Sequence, residues 1–177
     1  MNRYCLILSL SLINYCLAVN GDYTYDKIDS TLHAWQNDYG EATHPILGDY
    51  GIIYNLDTIG YSSQYSLPIF AVKLTSDANL PKQDKPRVLI LGQCHAEEIY
   101  GVEIAMAIIE CFVNPNTCYQ NTYIQQGLEN YLSYSLDNIE LWIVPTHNPE
   151  GLKVVYGYCD EDISATEATC NGNWIED

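Results

Sequence analysis

The stretch that most limits how this chain can fold is "RVLILGQCHAEEIYGVEIAMAII", residues 87 to 109. Its first six residues form a short, continuous apolar run ending in glycine, the pattern of a strand buried on both faces of a sheet. From Glu97 onward the period changes. Ile99, Val102, Met106, Ile109 and Val113 recur at steps of three and four, and Ala105, Ile108 and Phe112 widen the stripe, so an amphipathic helix follows the strand directly. A strand that passes at once into a helix belongs to a layered α/β sheet.

The flanking sequence fills in that frame. Ile28, Leu32 and Trp35 in "DKIDSTLHAWQNDY" have helical spacing. "YGIIYNLDTIG" and "LPIFAVKLT" read as two strands, joined by the turn sequence "GYSSQYS". "SDANLPKQDKP", with its two prolines, is a surface loop, and "NPNTC" ends the helix after the buried strand. Residues 119 to 132 predict a further helix, interrupted by Gly127, before "NIELWIVP" supplies another buried strand. The tail from Gly157 is polar and loop-like, and no internal repeat is visible. The expected fold is α/β, a mixed, mostly parallel sheet flanked by helices in three layers.

Composition narrows the function. The chain has 177 residues, 47% of them hydrophobic, enough for one compact domain with a core. Seven Lys plus Arg against 23 Asp plus Glu leave a formal net charge of −16, which repels phosphate backbones and argues against a nucleic-acid partner. Residues 1 to 18, "MNRYCLILSLSLINYCLA", carry one early Arg, an apolar run from Tyr4 to Leu17 and a small final residue, the pattern of a secretory signal peptide. The run is short for a membrane span and no stop-transfer charges follow, so no membrane contact beyond the signal is expected. The mature domain is then residues 19–177, secreted or periplasmic. Of the cysteines, Cys94, Cys111, Cys118, Cys159 and Cys170 follow the signal. Pairing Cys111 with Cys118 and Cys159 with Cys170 would close two short loops and leave Cys94 free, although spacing cannot fix connectivity. Cys94 is expected as a small buried apolar residue.

Chemistry concentrates at "GQCHAEEIYGVE". His95 falls at the carboxyl end of the buried strand, where open α/β sheets place ligand crevices, and Glu98 is expected one turn into the helix, on the same side. Imidazole and carboxylate are two of the three protein ligands a catalytic zinc takes. The alternative is a histidine satisfied by a backbone carbonyl, with Glu97 and Glu98 as anions at a helix N-terminus. "HNPE", residues 147 to 150, repeats the His-x-x-Glu spacing, but Pro149 and Gly151 predict a turn, with no helix to bring His147 and Glu150 together. The acidic cluster "CDED" fails as a calcium loop, having Ala165 at its sixth position and Asn171 at its twelfth.

Together, "RVLILGQCHAEEIYGVEIAMAII" and "IELWIVPTHNPEGL" resemble the zinc-dependent metallocarboxypeptidases of the carboxypeptidase A-like family. There an apolar strand leads through a glycine into a His-x-x-Glu ligand pair, and a later strand runs into an Asn-Pro-Asp-Gly turn, here Asn148, Pro149, Glu150 and Gly151. "IGYSSQYSLPIFAVKLT" is similar to the strand pair that precedes the zinc strand, so the likeness spans roughly residues 25 to 155. It implies an exopeptidase acting on the C-termini of peptides or proteins, with zinc as cofactor and His95 and Glu98 as ligands. It also implies a third histidine ligand, substrate-carboxylate arginines and a general-base glutamate farther along the chain. After Gly151 this sequence has neither Arg nor His, and many relatives carry Arg in place of Glu97. No catalytic side chain is therefore expected within the chain, and His147 is disfavoured as a substitute ligand because turn residues serve to orient backbone. The expectation is the N-terminal portion of one catalytic domain, inactive alone. The rivals are a secreted non-catalytic binding module and a zinc amidohydrolase acting on small acylated amino acids.

Overall fold

The computed structural model describes residues 23–81, 84–116 and 122–155, the last stretch with side chains from residue 130 onward. The signal sequence, Cys118, Cys159, Cys170 and the acidic cluster at 159–162 lie outside the described residues.

Helix α1 (Tyr25–Tyr39) starts at Thr24, whose hydroxyl accepts the Lys27 N–H at 3.3 Å, and buries Tyr25, Ile28 and Leu32. After a 3-10 turn at Gly48–Tyr50, β1 (Tyr54–Tyr61) and β2 (Pro68–Leu74) form an antiparallel hairpin, bulged between Thr58 and Gly60. Strand β3 (Arg87–Gln93) leads into α2 (Ile99–Val113), which is followed by α3 (Thr122–Asn138), β4 (Glu140–Thr146) and α4 (Pro149–Val155).

The result is a mixed four-stranded sheet in the order β1-β2-β4-β3, flanked by helices. Among the described strands only β3 and β4 pair in parallel; β4 also pairs antiparallel with β2. Directly paired residues share a face of the sheet. Val72, Ile143 and Ile90 therefore lie on the face that meets the core, with Ile28, Leu32, Met106, Ile109, Leu136 and Leu152. Lys73, Trp142 and Leu89 lie on the opposite face.

Four expectations change. The sheet is mixed as expected but not mostly parallel over the described strands, since only one of its three pairings is parallel. Strand β3 is not buried on both faces: it is one edge of the sheet among the described strands, with Leu89 61% and Leu91 54% exposed. Its apolar run says that the residues suit a covered strand, and periodicity carries no information on which neighbours are present. Helix α3 continues to Asn138, because Leu132 and Leu136 supply a buried i,i+4 face, and Ser135 and Asn138 donate back to the Tyr131 and Tyr134 carbonyls at 2.8 Å each. The Asn-Pro-Glu-Gly segment is a helix start rather than a turn alone: Pro149 opens α4, where its missing N–H costs nothing, and Asn148 Oδ1 accepts the Gly151 N–H at 2.9 Å.

The opposite face carries a buried charge cluster. Glu140, 1% exposed, accepts from Arg87 Nε at 2.7 Å and lies 4.0 Å from Lys73 Nζ. That ammonium also donates to the Leu80 carbonyl at 2.8 Å and sits 5.9 Å from the centre of the Trp142 ring. Burial of both signs together is what makes such charges tolerable in the interior.

Candidate metal site at the end of the parallel strands

The parallel strands β3 and β4 end side by side, with Gln93 opposite Thr146. Gly92 and Gly101 let the backbones at this end come close. A Cβ built on Gly92 would lie 2.9 Å from the Gly101 carbonyl oxygen, and one on Gly101 2.6 Å from that of Gly92. Gly92 has no positive φ, so its role is close approach rather than the abrupt turn its position suggests.

Between Gln93 and Ile99 the chain makes the loop that carries His95. The Glu98 N–H donates to the His95 carbonyl at 3.0 Å, closing a four-residue turn. Glu98 is thus the N-cap of α2 rather than a residue one turn into it, and it provides no side-chain cap there. Its carboxylate folds back instead, and Oε2 accepts the His95 N–H at 3.1 Å. The turn, not a helical face, brings the acidic side chain back to the histidine. Both residues are exposed and open to a ligand.

Side chains from both strand ends hold this loop. Gln93, fully buried, donates from Nε2 to the Ala96 carbonyl at 3.0 Å and accepts the Thr146 hydroxyl at Oε1. Asn148 donates from Nδ2 to the Cys94 carbonyl at 3.1 Å, and its own N–H donates to Thr146 Oγ1 at 3.1 Å. The His147 N–H meets the Gln93 carbonyl at 3.3 Å. Gln93, Thr146 and Asn148 were not legible as site residues, since nothing in a lone sequence shows which side chains will meet between two strands. The Asn-Pro-x-Gly signal was the available clue, and it marked the right place.

Cys94 is free, as the local pairing implied, but it is exposed rather than buried: Gln93 takes the inward position at the strand end. Cys111 is disulfide-bonded, and its partner lies outside the described residues. His147 Nδ1 is buried without a hydrogen-bond partner, and Glu150 turns away from it to the β1–β2 hairpin, where Oε1 accepts the N–H groups of Gln64 at 3.0 Å and Tyr65 at 2.7 Å. Burial pushes the Glu150 carboxyl up, but hydrogen bonds from Ser62, Tyr65 and Gln64 outweigh it and hold the group below its usual range.

As donors, a carboxylate and an imidazole on one tight turn fit two protein ligands of a zinc ion. Among the described residues no group of three or more His, Cys, Asp or Glu side chains comes together to hold a metal, so His147 does not complete the set.

A profile of the zinc carboxypeptidase family matches residues 42–169, most of the chain. The chain belongs to the zinc carboxypeptidase family. No curated protein matches it in sequence. Solved structures that share its fold include thrombin-activatable fibrinolysis inhibitor, at 14% identity and a TM-score of 0.53 over 81% of this chain, and carboxypeptidase A from Helicoverpa armigera, at 17% identity and 0.53 over 76%. The chain spans 32% and 26% of the lengths of those two structures. The mixed sheet and flanking helices described above are therefore the zinc carboxypeptidase architecture over the part of the fold that this chain covers.

Proposed function

We propose that this chain carries part of the machinery of a zinc-dependent metallocarboxypeptidase, hydrolysing C-terminal peptide bonds, with His95 and Glu98 as two of the zinc ligands. The observation that carries the reading is the turn after β3, in a chain of the zinc carboxypeptidase family, that folds the Glu98 carboxylate back to the backbone N–H of His95. When bound, zinc supplies a Lewis acid for the scissile carbonyl and lowers the pKa of a coordinated water. His95 would donate through a ring nitrogen and Glu98 through its carboxylate, while the buried Gln93–Thr146 contact keeps the strand ends together beneath them. The third ligand, the carboxylate-binding arginines and the general base would come from sequence beyond that described. Peptide or protein C-termini are the proposed substrates. Secretion or a periplasmic location is the proposed compartment, supported by the signal-like residues 1 to 18 and by a disulfide at Cys111.

A second reading, a secreted carboxypeptidase-like binding module without catalysis, has one observation in its favour: among the described residues no three His, Cys, Asp or Glu side chains come together to hold a metal. Zinc titration of the full chain against a chromogenic chelator tests the ligand assignment. Wild type should take up zinc weakly and His95→Ala should not. Equal uptake by both removes His95 and Glu98 as a metal site. Hydrolysis of an N-blocked dipeptide by a zinc-loaded chain extended past Asp177, and its absence from a zinc-binding extended chain, separate peptidase from module.

A further inference from the structure

The backbone on either side of His95 is held by two carboxamides from different elements, and the bonding pattern fixes which way each amide points. The Gly151 N–H can only donate, so Asn148 must turn Oδ1 toward it, which leaves Nδ2 for the Cys94 carbonyl. The Ala96 carbonyl can only accept, so Gln93 must present Nε2 to it, which leaves Oε1 for the Thr146 hydroxyl. Rotating either amide by half a turn would set oxygen against oxygen. Carbonyls before and after His95 are thus each fastened by a donor that has no alternative orientation, while Glu98 fastens the His95 N–H between them. A loop whose backbone is tied at three successive residues holds its exposed side chain in one region of space without help from a ligand.

We propose that Gln93 and Asn148 are positioning residues for His95, two carboxamides that pre-set the loop for metal ligation from the ends of β3 and β4. The inference rests on the reading of His95 as a zinc ligand. It goes beyond that reading by assigning to this chain's own Gln93 and Asn148 a role that neither residue type suggests from sequence. Neither side chain would touch the metal or the substrate. Partners that orient ligands in this manner typically change metal affinity by 10- to 100-fold when removed.

Asn148→Asp is the discriminating variant. It keeps the acceptor that caps α4 through Gly151 but removes the donor to Cys94, leaving a carboxylate oxygen against a carbonyl. Gln93→Met removes the other donor at similar volume. Two measurements on the full chain apply to each. In the metal-free protein, hydrogen exchange at the Glu98 amide, which is bonded to His95 O, should speed up roughly tenfold while exchange in β1 and β2 stays as in wild type. In zinc competition, the Kd should rise about tenfold. Unchanged exchange at Glu98 in both variants overturns the positioning role whatever the metal does. Unchanged zinc affinity in both, with His95→Ala impaired, overturns it and leaves the ligand assignment standing. Faster exchange spread evenly through β1 and β2 marks general loosening and also overturns it. Zinc uptake that His95→Ala does not diminish removes the ligand assignment and this inference together.

Discussion

Replacing His44 with asparagine should flatten the acid limb of the chain's stability curve. His44 is 1% exposed, and both ring nitrogens are committed. Nε2 lies 2.8 Å from the Val113 carbonyl, which can only accept, so that nitrogen carries the proton; Nδ1 receives the N–H groups of Ile46 at 3.2 Å and Leu47 at 2.9 Å, so it must be bare. The ring also stacks on Tyr39, with centroids 5.0 Å apart. A second proton would have to enter where two donors already point. Burial accordingly lowers the pKa of His44 from its ordinary 6.5, against a smaller upward pull from Val113. The sign follows from linkage. Below pH 6.5 the unfolded chain takes up a proton that the folded chain refuses, so stability is full above that pH and falls as pH drops through it. The slope approaches about 1.36 kcal/mol per pH unit, so the loss between pH 7.5 and 5.5 reaches up to about 1.4 kcal/mol, or some 3–6 °C in Tm for a chain of this size. His44→Asn retains an acceptor two and three residues before the Ile46 and Leu47 amides but cannot titrate. Its baseline should drop by about 1–3 kcal/mol, because the Val113 carbonyl loses its donor. Urea unfolding of both proteins at pH 7.5 and 5.5 is the assay. Parallel losses in wild type and variant would refute the reasoning, since His44 would then contribute nothing to the acid limb.

Other changes have equally definite outcomes. Glu140→Ala leaves the buried Lys73 ammonium without its counter-charge and should cost about 3–5 kcal/mol in urea unfolding; Glu140→Ala,Lys73→Met together should recover part of that. Gly92→Ala places a methyl against backbone on both sides and should either prevent soluble expression or lower Tm by several degrees, whereas Gly60→Ala, which meets nothing within 4 Å, should change it little. Glu150→Gln weakens the carboxylate's hold on the Gln64 and Tyr65 amides, and exchange at those two amides should rise several-fold. Because the Glu150 pKa is lowered in the fold, its contribution is fully present above its ordinary 4.5 and is lost as pH falls from there through the lower pKa of the folded state; the Gln64 and Tyr65 amides should loosen only once pH passes below that lower value in wild type, and not in Glu150→Gln.

Residues whose role is set by their own period were legible. Val102, Met106, Ile109 and Val113 announced α2 and its buried face, and Ile28 and Leu32 did the same for α1. The hairpin of β1 and β2 followed from β-branched and aromatic runs flanking a turn sequence. Residues whose role depends on a distant partner were not. Glu103 falls on the buried stripe of α2 although it is charged, and only the folded chain shows its Oε1 accepting the Tyr23 N–H at 3.1 Å across 80 positions. His44 offered no pattern, since its partner Val113 is 69 positions away. At the candidate site, His95 and Glu98 stood out because their chemistry is local, but their geometry was misjudged by about a turn: the helix begins at Ile99, with Glu98 as its N-cap, and a turn rather than a helical face relates the pair.

The strand order has a consequence for assembly. Strand β4 is the last of the four in the chain, yet it lies between β2 and β3. The hairpin can close through neighbours in sequence, but among the described strands β3 pairs only with β4, which arrives some fifty positions later and slots in alongside it. During synthesis from the amino end, the His95 loop therefore emerges early and stays slack. It tightens only when Thr146 and Asn148 come to rest against it, which makes the corner that carries His95 among the last of the described parts to take shape.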